Sequence, residues 1–326
     1  MTRDALILAA LREAGDNPVS GEELARRLGV SRAAVWAHIR ELRALGYDIQ
    51  ASPHLGYRLL GAPDLLHGDD LLARLGPGQV LGRDIRVFRE TTSTSDVVEK
   101  LARDGVAEGV VVFAETQTAG RGRLGRTWVS PAGKGLWFSV LLRPALRPPE
   151  ATRLTIAAAV AVARAVRAQT GLAPEVKWPN DLLLRGRKLG GILTELSGEQ
   201  DRIRHIVLGV GLDVNLTAAD LPGELRRLAT SLRLELGRPV PRAELAVAVL
   251  RELDAVYARV IGAAFAPLAE EWESLCTTLG RTIEVALGPR RVRGRAEALD
   301  ADGALLLRTE HGHLERITGG DVTVLS

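Results

Sequence analysis

The chain of 326 residues contains little cysteine and few aromatic residues, and it has no long apolar run. Its single cysteine, Cys276, excludes an intramolecular disulfide and fits a reducing compartment. No basic segment followed by an apolar one opens the chain, so we expect no signal peptide. The most apolar stretch, from about residue 154 to 166, contains Arg164 and is too short to span a bilayer. We therefore expect a soluble, cytoplasmic protein without a membrane partner.

Lysine and asparagine are also scarce, although the chain carries 43 basic residues. Only four of these are lysines, and three asparagines occur in the whole chain. Lysine offers a compact ammonium on a flexible stem, which arginine cannot replace at every site. Two of the four lysines and one asparagine fall between Lys177 and Lys188, which marks that segment as a candidate site. The formal net charge of +3 does not by itself indicate a nucleic-acid partner.

Residues 1–63 are predicted to form a winged helix-turn-helix domain. A first helix covers about residues 3–14, Ser20 opens a second helix with a capping box, and Ser31 caps a third. The connector between the second and third helices has the three-residue length of a helix-turn-helix joint. Two short β-like runs between residues 47 and 60 are expected to form the wing.

Two further regions are predicted, residues 64–275 and residues 276–326. The first of these alternates strand-like and helix-like segments, which indicates an α/β or α+β domain with one central mixed sheet. The last region has short alternating runs punctuated by Gly288-Pro289 and Asp302-Gly303, which is typical of a small SH3-like β-barrel. Strands are expected near 85–88, 110–114, 136–142, 175–178, 188–196, 206–212, 282–287, 292–299, 305–308 and 322–325. Helices of the central region are expected near 94–103, 151–170 and 242–261.

A basic glycine-rich loop, Gly120-Arg-Gly-Arg-Leu-Gly-Arg126, is the first candidate ligand site. Its letters match GxGxxG, but a dinucleotide-binding turn needs a helix at the glycines and an acidic residue about 20 positions later. The sequence offers neither. Three guanidiniums without a nearby acid would instead become ordered around a polyphosphate or an acyl phosphate. The same letters fit an exposed basic turn equally well.

The second candidate is Lys177-Trp-Pro-Asn-Asp181, followed by Arg187-Lys188-Leu-Gly-Gly-Ile192. Pro179 ends one strand and Lys188 begins the next, so the two lysines are expected to meet at one end of a β-hairpin. Gly190 and Gly191 would let a ligand approach the backbone closely. An ordinary hairpin with a solvated lysine is the alternative. Thr92–Asp96 alone is typical of a helix cap, and Gly209–Asn215 alone is typical of a strand and a turn.

Together these segments resemble the biotin–protein ligase family. The matching stretches, in the family's order, are Ser93-Thr94-Ser95, Glu115-Thr116-Gln117, Gly120–Arg126 with Trp128, Lys177–Asp181, Lys188–Ile192 and Gly209–Asn215. The predicted helix-turn-helix and C-terminal barrel resemble the bifunctional branch, whose members also repress genes of biotin synthesis or uptake. Two positions depart from the pattern, because the family often has asparagine where Ser95 and Asp213 stand.

The resemblance implies a two-step reaction that uses biotin, ATP and Mg²⁺. The biotin carboxylate attacks the α-phosphate of ATP, pyrophosphate leaves, and the resulting biotinyl-5′-AMP gives its acyl group to a lysine of a biotin carboxyl carrier protein of acetyl-CoA carboxylase. A fixed cation would offset the charge that grows on the α-phosphate and on the acyl oxygen. The implied catalytic residues are Lys188, Arg123 and Asp181, with Asp181 also as the magnesium ligand.

The resemblance also implies the binding residues. Biotin contacts are expected from Ser93, Thr94, Ser95, Gln117, Gly120, Arg121, Gly122, Arg123, Lys188 and Gly191. Nucleotide contacts are expected from Arg121, Arg126, Trp128, Lys177, Asn180 and Asn215, with Trp128 near the adenine. The glycine-rich loop is expected to fold over both substrates and to shield the mixed anhydride from water.

Operator DNA is expected at the second helix of the helix-turn-helix, which winged helices place in the major groove. The candidate DNA contacts are Ser31, Arg32, Trp36 and Arg40. Trp36 could equally be a core residue, and winged helices also serve as protein-contact modules. A palindromic operator would require a homodimer, which we expect an ordered Gly120–Arg126 loop to favour.

Two other functions stay open at the level of sequence. A lipoate–protein ligase shares the central fold and the adenylating chemistry, although the arginine-rich loop and the helix-turn-helix favour biotin. A transcription regulator whose central domain only senses a ligand would keep the DNA-binding region and lack ligase activity.

Overall fold

The computed structural model describes residues 2–199 and 201–325 and begins with a small helical domain. Its elements are the helices α1 (Arg3–Glu13), α2 (Gly21–Leu28) and α3 (Arg32–Ala44) and the hairpin strands β1 (Asp48–Ser52) and β2 (Gly56–Gly61). The hydroxyls of Ser20 and Ser31 cap α2 and α3, since they accept hydrogen bonds from backbone N–H groups at 3.0 and 3.2 Å. The predicted helix-turn-helix and wing are confirmed.

The central region is built around a mixed seven-stranded sheet. Its elements are α4 (Gly68–Leu75), β3 (Asp84–Thr91), α5 (Thr94–Arg103), β4 (Val110–Gln117), β5 (Gly135–Leu142), α6 (Thr152–Thr170), β6 (Glu175–Lys177), β7 (Asp181–Leu184), β8 (Arg187–Gly198), β9 (Ile203–Asp213), α7 (Leu232–Leu236), α8 (Arg242–Ile261) and α9 (Ala266–Leu275). The strand order is β3-β4-β5-β9-β8-β7-β6. In this sheet the β3–β4 pair is parallel and the other strand pairs of the described residues are antiparallel.

The alanine-rich segment forms α6, which lies buried between the sheet and α8. Within residues 2–199 and 201–325, no helix combines the length and the apolar character that a bilayer crossing requires. Helices α4, α7 and α9 were not predicted, and neither was β7. Strand β7 has only four residues, so its pattern could not be distinguished from that of a turn.

The last region is a five-stranded antiparallel sheet that shares its core with the central region. Its strands are β10 (Thr282–Leu287), β11 (Arg290–Leu299), β12 (Leu305–Thr309), β13 (Leu314–Ile317) and β14 (Asp321–Val324), in the order β13-β12-β11-β10-β14. The apolar side chains of Ile283, Val285 and Leu305 belong to the same buried cluster as Trp272 of α9. This region is therefore packed firmly against the sheet that carries the candidate site. Strand β13 was not among the predicted strands.

A buried network of charged groups joins the segment after β2 to the central sheet. Arg242, at the start of α8, is only 1% exposed, and its Nη1 donates to Oε2 of Glu115 at 2.6 Å. Its Nη2 donates to the carbonyl of Asp64 at 2.8 Å. The Oε1 of Glu115 also accepts from the backbone N–H of Leu66 at 2.9 Å. The network fixes the end of β4, two residues before Gln117.

Candidate active site

A polar cavity lies against one face of the central sheet. A chain of hydrogen bonds along it joins residues of α5, β4, β5 and the loop between β4 and β5. The backbone N–H of Thr94 donates to Oε1 of Gln117 at 2.9 Å, and Nε2 of Gln117 donates to the Ser130 hydroxyl at 3.0 Å. The Ser139 hydroxyl lies 2.8 Å from that of Thr94 and 3.1 Å from that of Ser95. These groups offer donors and acceptors to a small polar ligand.

Glycines on β9 make room for the wall of this cavity. A Cβ placed on Gly211 would lie 2.7 Å from the Trp128 indole, so only glycine allows that ring to lie on the strand. The Trp128 ring packs edge-to-face against Trp137 at 6.3 Å between centroids, and the Lys188 ammonium lies 5.3 Å from the Trp128 ring centre. Trp128 therefore stands between the polar cavity and an apolar cluster that contains Trp137, Leu216, Leu221 and Ala229.

Lys188 is held in place by its side chain and by its backbone. Its Nζ donates to Oδ1 of Asp181 at 2.6 Å. Its backbone N–H donates to the carbonyl of Leu228 at 2.8 Å, and its carbonyl accepts from the N–H of Thr230 at the same distance. Lys177 and Lys188 were expected to meet at one end of a single hairpin, but strand β7 lies between their strands β6 and β8, so the three strands form a meander.

The glycine-rich loop makes a tight turn at Arg123–Gly125, in which the backbone of Leu124 is left-handed with a φ of 56°. Its ends are closed by the N–H of Gly122, which donates to the carbonyl of Arg126 at 2.7 Å, and by the N–H of Trp128, which donates to the carbonyl of Gly120 at 2.8 Å. No helix begins at the glycines, as predicted. The loop therefore presents its arginine side chains to the surrounding elements.

The prediction that these arginines have no acid nearby is wrong. Arg121 forms ion pairs with Asp96 and Glu195, and Arg126 pairs with Asp321 of the last region. All three acids lie far from the loop in sequence or on other elements, which a local pattern cannot detect. Ion pairs to α5, β8 and β14 therefore hold the loop in place.

A second cavity is densely charged. It is lined by Arg123, Leu124, Arg126, Lys177, Trp178, Pro179, Asn180, Asp181, Lys188, Gly320, Asp321 and Val322. Four of these residues are cationic and two are acidic. Burial lowers the pKa of the Arg123 guanidinium, although Asp181 and Asp321 oppose that shift. A guanidinium stays charged across the physiological range, so this cavity suits a polyphosphate.

Asp213 lies at the end of β9 and is 5% exposed. Its burial raises the pKa of the carboxyl well above its ordinary value, while the positive charge of Lys188 opposes the shift. Because the family often has asparagine at this position, Asp213 adds a buried carboxyl group near Lys188.

Family models match all three regions of the chain. The "Biotin/lipoate A/B protein ligase family" matches residues 87–213, an "HTH domain" matches residues 3–58, and the "Biotin protein ligase C terminal domain" matches residues 278–325. The "Bifunctional ligase/repressor BirA" of Bacillus spizizenii is 36% identical over 97% of this chain and 97% of its own length. The protein of the same name from Escherichia coli is 34% identical over 94% of this chain and 93% of its own length.

This chain belongs to the biotin–protein ligase family. Its fold is also similar to a solved structure described as "Biotin protein ligase from Aquifex aeolicus in complex with biotin and ATP". That similarity has a TM-score of 0.63 at 29% identity and covers 74% of this chain and 99% of the other.

The structure brings most of the predicted site residues of this family member to the two cavities, but not Gly120, Gly122 or Asn215. Gly120 lies against the Trp128 carbonyl and the Ser130 hydroxyl. Ser93, Thr94, Ser95, Gln117, Arg121, Trp128, Asn180, Lys188 and Gly191 line the polar cavity, and Gly122 lines a third cavity beside it. Asn215 lines none of the cavities described here. Its Nδ2 donates to the carbonyl of Val240 at 2.9 Å and its Oδ1 accepts from the N–H of Val240 at 2.8 Å. The expected nucleotide contact from Asn215 is therefore corrected, because its buried amide braces the start of α8.

Three features of the site were not predicted. Ser139 is fully buried beneath Thr94 and Ser95. The sequence feature that could have indicated it is a single hydroxyl residue inside an otherwise apolar strand. Ser130 accepts from the Gln117 amide. The segment 216–230 runs beside Lys188 and Trp137, and nothing in its composition indicated that position.

The helix-turn-helix exposes part of its predicted contact surface. Trp36 is 53% exposed, so it is not a core residue, and the Arg40 guanidinium lies 5.1 Å from the centre of its ring. Arg32 and Trp36 line a groove between α3 and the wing residue His54. The Ser31 hydroxyl is engaged in capping α3.

Proposed function

We propose that this chain activates biotin with ATP to form biotinyl-5′-AMP and transfers the biotin to a lysine of a biotin carboxyl carrier protein. One observation carries the proposal: Lys188 lines both the polar cavity and the charged cavity. An acid bound in the first and a polyphosphate bound in the second would meet at its ammonium. That arrangement is the one an adenylating enzyme requires.

Biotin is assigned to the polar cavity. Its ureido head has donors and acceptors, and the hydroxyls of Ser93, Thr94 and Ser95 with the Gln117 amide can pair with both kinds. Arg121 lines the polar cavity, Gly122 lines the cavity beside it, and Gly120 lies next to the Gln117 amide, so the loop can cover a ligand. The Trp128 indole contributes an apolar wall. The carboxylate of biotin would then point toward Lys188.

The phosphates of ATP are assigned to the charged cavity. Arg123, Arg126 and Lys177 supply positive charge around it, and Asn180 supplies an amide. The biotin carboxylate oxygen attacks the α-phosphorus, the bond to the β-phosphate oxygen breaks, and pyrophosphate leaves. Lys188 stabilises the charge on the α-phosphate as it develops. The carrier lysine amine then attacks the acyl carbon, and AMP leaves.

Magnesium is assigned to the same cavity, because Mg²⁺ in such sites is held by one or two carboxylates together with substrate phosphates. Asp181 and Asp321 are the carboxylates that line the cavity within the described residues. The ion would neutralise phosphate charge. Asp181 is the proposed ligand, and its present partner is the Lys188 ammonium.

Pyrophosphate exchange into ATP that depends on biotin tests the proposal directly. We expect exchange with biotin and ATP, and a mass increase of a carrier domain when it is added. Attachment of lipoate but not of biotin to the carrier domain would show that lipoate, and not biotin, is the substrate. No exchange with either acid, together with ligand-dependent DNA binding that survives Lys188→Ala, would indicate a sensor without ligase activity.

We further propose that the helix-turn-helix binds operator DNA as part of a homodimer. The exposed pair of Trp36 and Arg40 supports a DNA-facing α3. The outer edge of β8 supports a partner chain, because β7 pairs with residues 187–191 and, within the described residues, no strand pairs with the same edge of residues 193–198, whose other edge pairs with β9. Leu196 on this segment is 42% exposed. Sedimentation with biotin and ATP should show a dimer, and a monomer under saturating substrates would contradict this part.

A further inference from the structure

The turn between β13 and β14, residues 318–320, reaches from the last region of the chain to the glycine-rich loop. Thr318 lines a cavity together with loop residues 121–125. The carbonyl of Gly320 accepts from Nη1 of Arg123 at 3.5 Å, and Asp321 pairs with Arg126. Two consecutive residues of one region thus contact two arginines of another.

Gly319 is the closest point of this contact. A Cβ placed there would lie 2.8 Å from Nη2 of Arg123, and, within the described residues, no atom other than those of Arg123 and the chain neighbours lies within 4 Å. The φ of Gly319 is not in the left-handed region, so the backbone would accept alanine. An alanine at this position would therefore not strain the backbone, but its methyl group would push aside the far end of one flexible side chain, the Arg123 guanidinium.

Arg123 connects this turn to the candidate active site. Its Nη1 also donates to Oδ1 of Asn180 at 3.3 Å. Asn180 is itself fixed, since its Nδ2 donates to the carbonyl of Ile192 at 2.7 Å. Arg123 lies in the wall of the charged cavity between these two partners. Its position is set from both sides, by the hairpin that carries Asp181 and Lys188 and by the turn of the last region.

We propose that Gly319 is a positioning residue for the ligase reaction: its lack of a side chain seats the Arg123 guanidinium between the 318–320 turn and Asn180. The last region of the chain thereby completes the polyphosphate site. The inference rests on the proposed function for its catalytic consequence. The contact itself is independent of the reaction.

The variant Gly319→Ala tests the proposal, because its methyl group overlaps only with Arg123. We expect exchange at subsaturating ATP to fall on the order of 10- to 100-fold, the range expected when a charged group is displaced by about 1 Å. The biotin dissociation constant should change less than about twofold, since Arg123 does not line the polar cavity. The unfolding midpoint should match that of wild type. Gly61→Ala is the matched control, because the added Cβ meets only an ordinary contact at 3.7 Å.

A double-mutant cycle with Arg123→Ala decides whether Gly319 acts through the arginine. We expect Gly319→Ala to cause no further loss of exchange once the guanidinium is absent. An equal loss in the wild-type and Arg123→Ala backgrounds would overturn the proposal, and so would wild-type exchange in Gly319→Ala itself.

Limited trypsin digestion separates this inference from the proposed function. We expect faster cleavage after loop arginines in Gly319→Ala than in wild type and in Gly61→Ala, because a displaced Arg123 no longer anchors the loop. Unchanged cleavage would overturn the contact even if the enzyme is an active ligase. Faster cleavage in a protein without biotin-dependent exchange would keep the contact and reject the ligase assignment.

Discussion

Replacing Arg242 by methionine should destabilise the central region strongly. The guanidinium is buried and makes a two-point ion pair with Glu115, from Nη1 to Oε2 at 2.6 Å and from Nη2 to Oε1 at 3.3 Å. Methionine has a similar length and fills the apolar part of the space. The substitution therefore leaves the Glu115 carboxylate, which is 7% exposed, with only the Leu66 N–H as a partner.

Breaking a buried ion pair from one side costs about 3–5 kcal/mol, because the remaining charge stays desolvated. For a region of this size about 1 kcal/mol shifts the melting temperature by roughly 2–4 °C. We expect Arg242→Met to melt roughly 6–20 °C below wild type. Adding Glu115→Gln removes the orphaned charge and keeps an acceptor for Leu66, so the double variant should recover a large part of the loss.

Thermal unfolding followed by tryptophan fluorescence measures this well, because four of the five tryptophans lie outside the helix-turn-helix domain. Wild type, both single variants and the double variant should be compared at one protein concentration. The reasoning fails if Arg242→Met unfolds within about 1 kcal/mol of wild type, the size of an exposed ion pair. It also fails if the double variant is less stable than Arg242→Met alone.

Three further predictions concern the site and the DNA-binding surface. Lys188→Ala should lower biotin-dependent exchange on the order of 10²–10³-fold, and Lys188→Arg should not restore it, because a planar guanidinium does not replace a compact ammonium. Asp213→Asn should become more stable than wild type as pH rises in urea titrations. Burial raises the folded-state pKa of the Asp213 carboxyl, so the wild-type protein loses stability as the pH rises from about 4 through that raised pKa. A stability gain of Asp213→Asn that is equal at all pH values would contradict the assignment. Trp36→Ala should weaken operator binding about fivefold or more in a fluorescence-anisotropy titration. Its unfolding midpoint should stay within about 0.5 kcal/mol of wild type, and unchanged DNA affinity would place the DNA surface elsewhere.

Local signals in the sequence predicted the elements that have clear ends. Helix α5 was expected at residues 94–103 and is found there, because hydroxyl residues mark its start and a basic residue and a glycine mark its end. Helix α8 was likewise placed at residues 242–261. Helix α4 was missed because it has only eight residues, too few for its apolar periodicity to distinguish a helix from other structure. The sequence thus predicts those elements whose boundaries depend on nearby residues.

The candidate site was predictable to the extent that its motifs are contiguous. The two lysine-containing motifs and the glycine-rich loop do meet at the cavities. What could not be predicted is which distant groups face them. Asp96, Glu195 and Asp321 pair with loop arginines across separations of 25, 74 and 195 residues. Partners at such distances are set by the packing of sheets and not by the pattern around each residue.

These partners divide the loop arginines into two kinds. Arg121 and Arg126 pair with acids while their side chains remain 39% and 64% exposed, and such pairs are worth only about 0–1 kcal/mol. An anionic substrate can therefore replace their partners at small cost. Arg123 is different, because it is more buried and lies between Asn180 and the glycines of the last region. Arg121 and Arg126 can thus exchange their acidic partners for substrate, while Arg123 keeps the loop aligned with Lys188. If all three arginines exchanged their partners for substrate, no contact would hold the loop in place as it covers the substrates. We therefore expect the fit at Gly319 to matter more for catalysis than for stability.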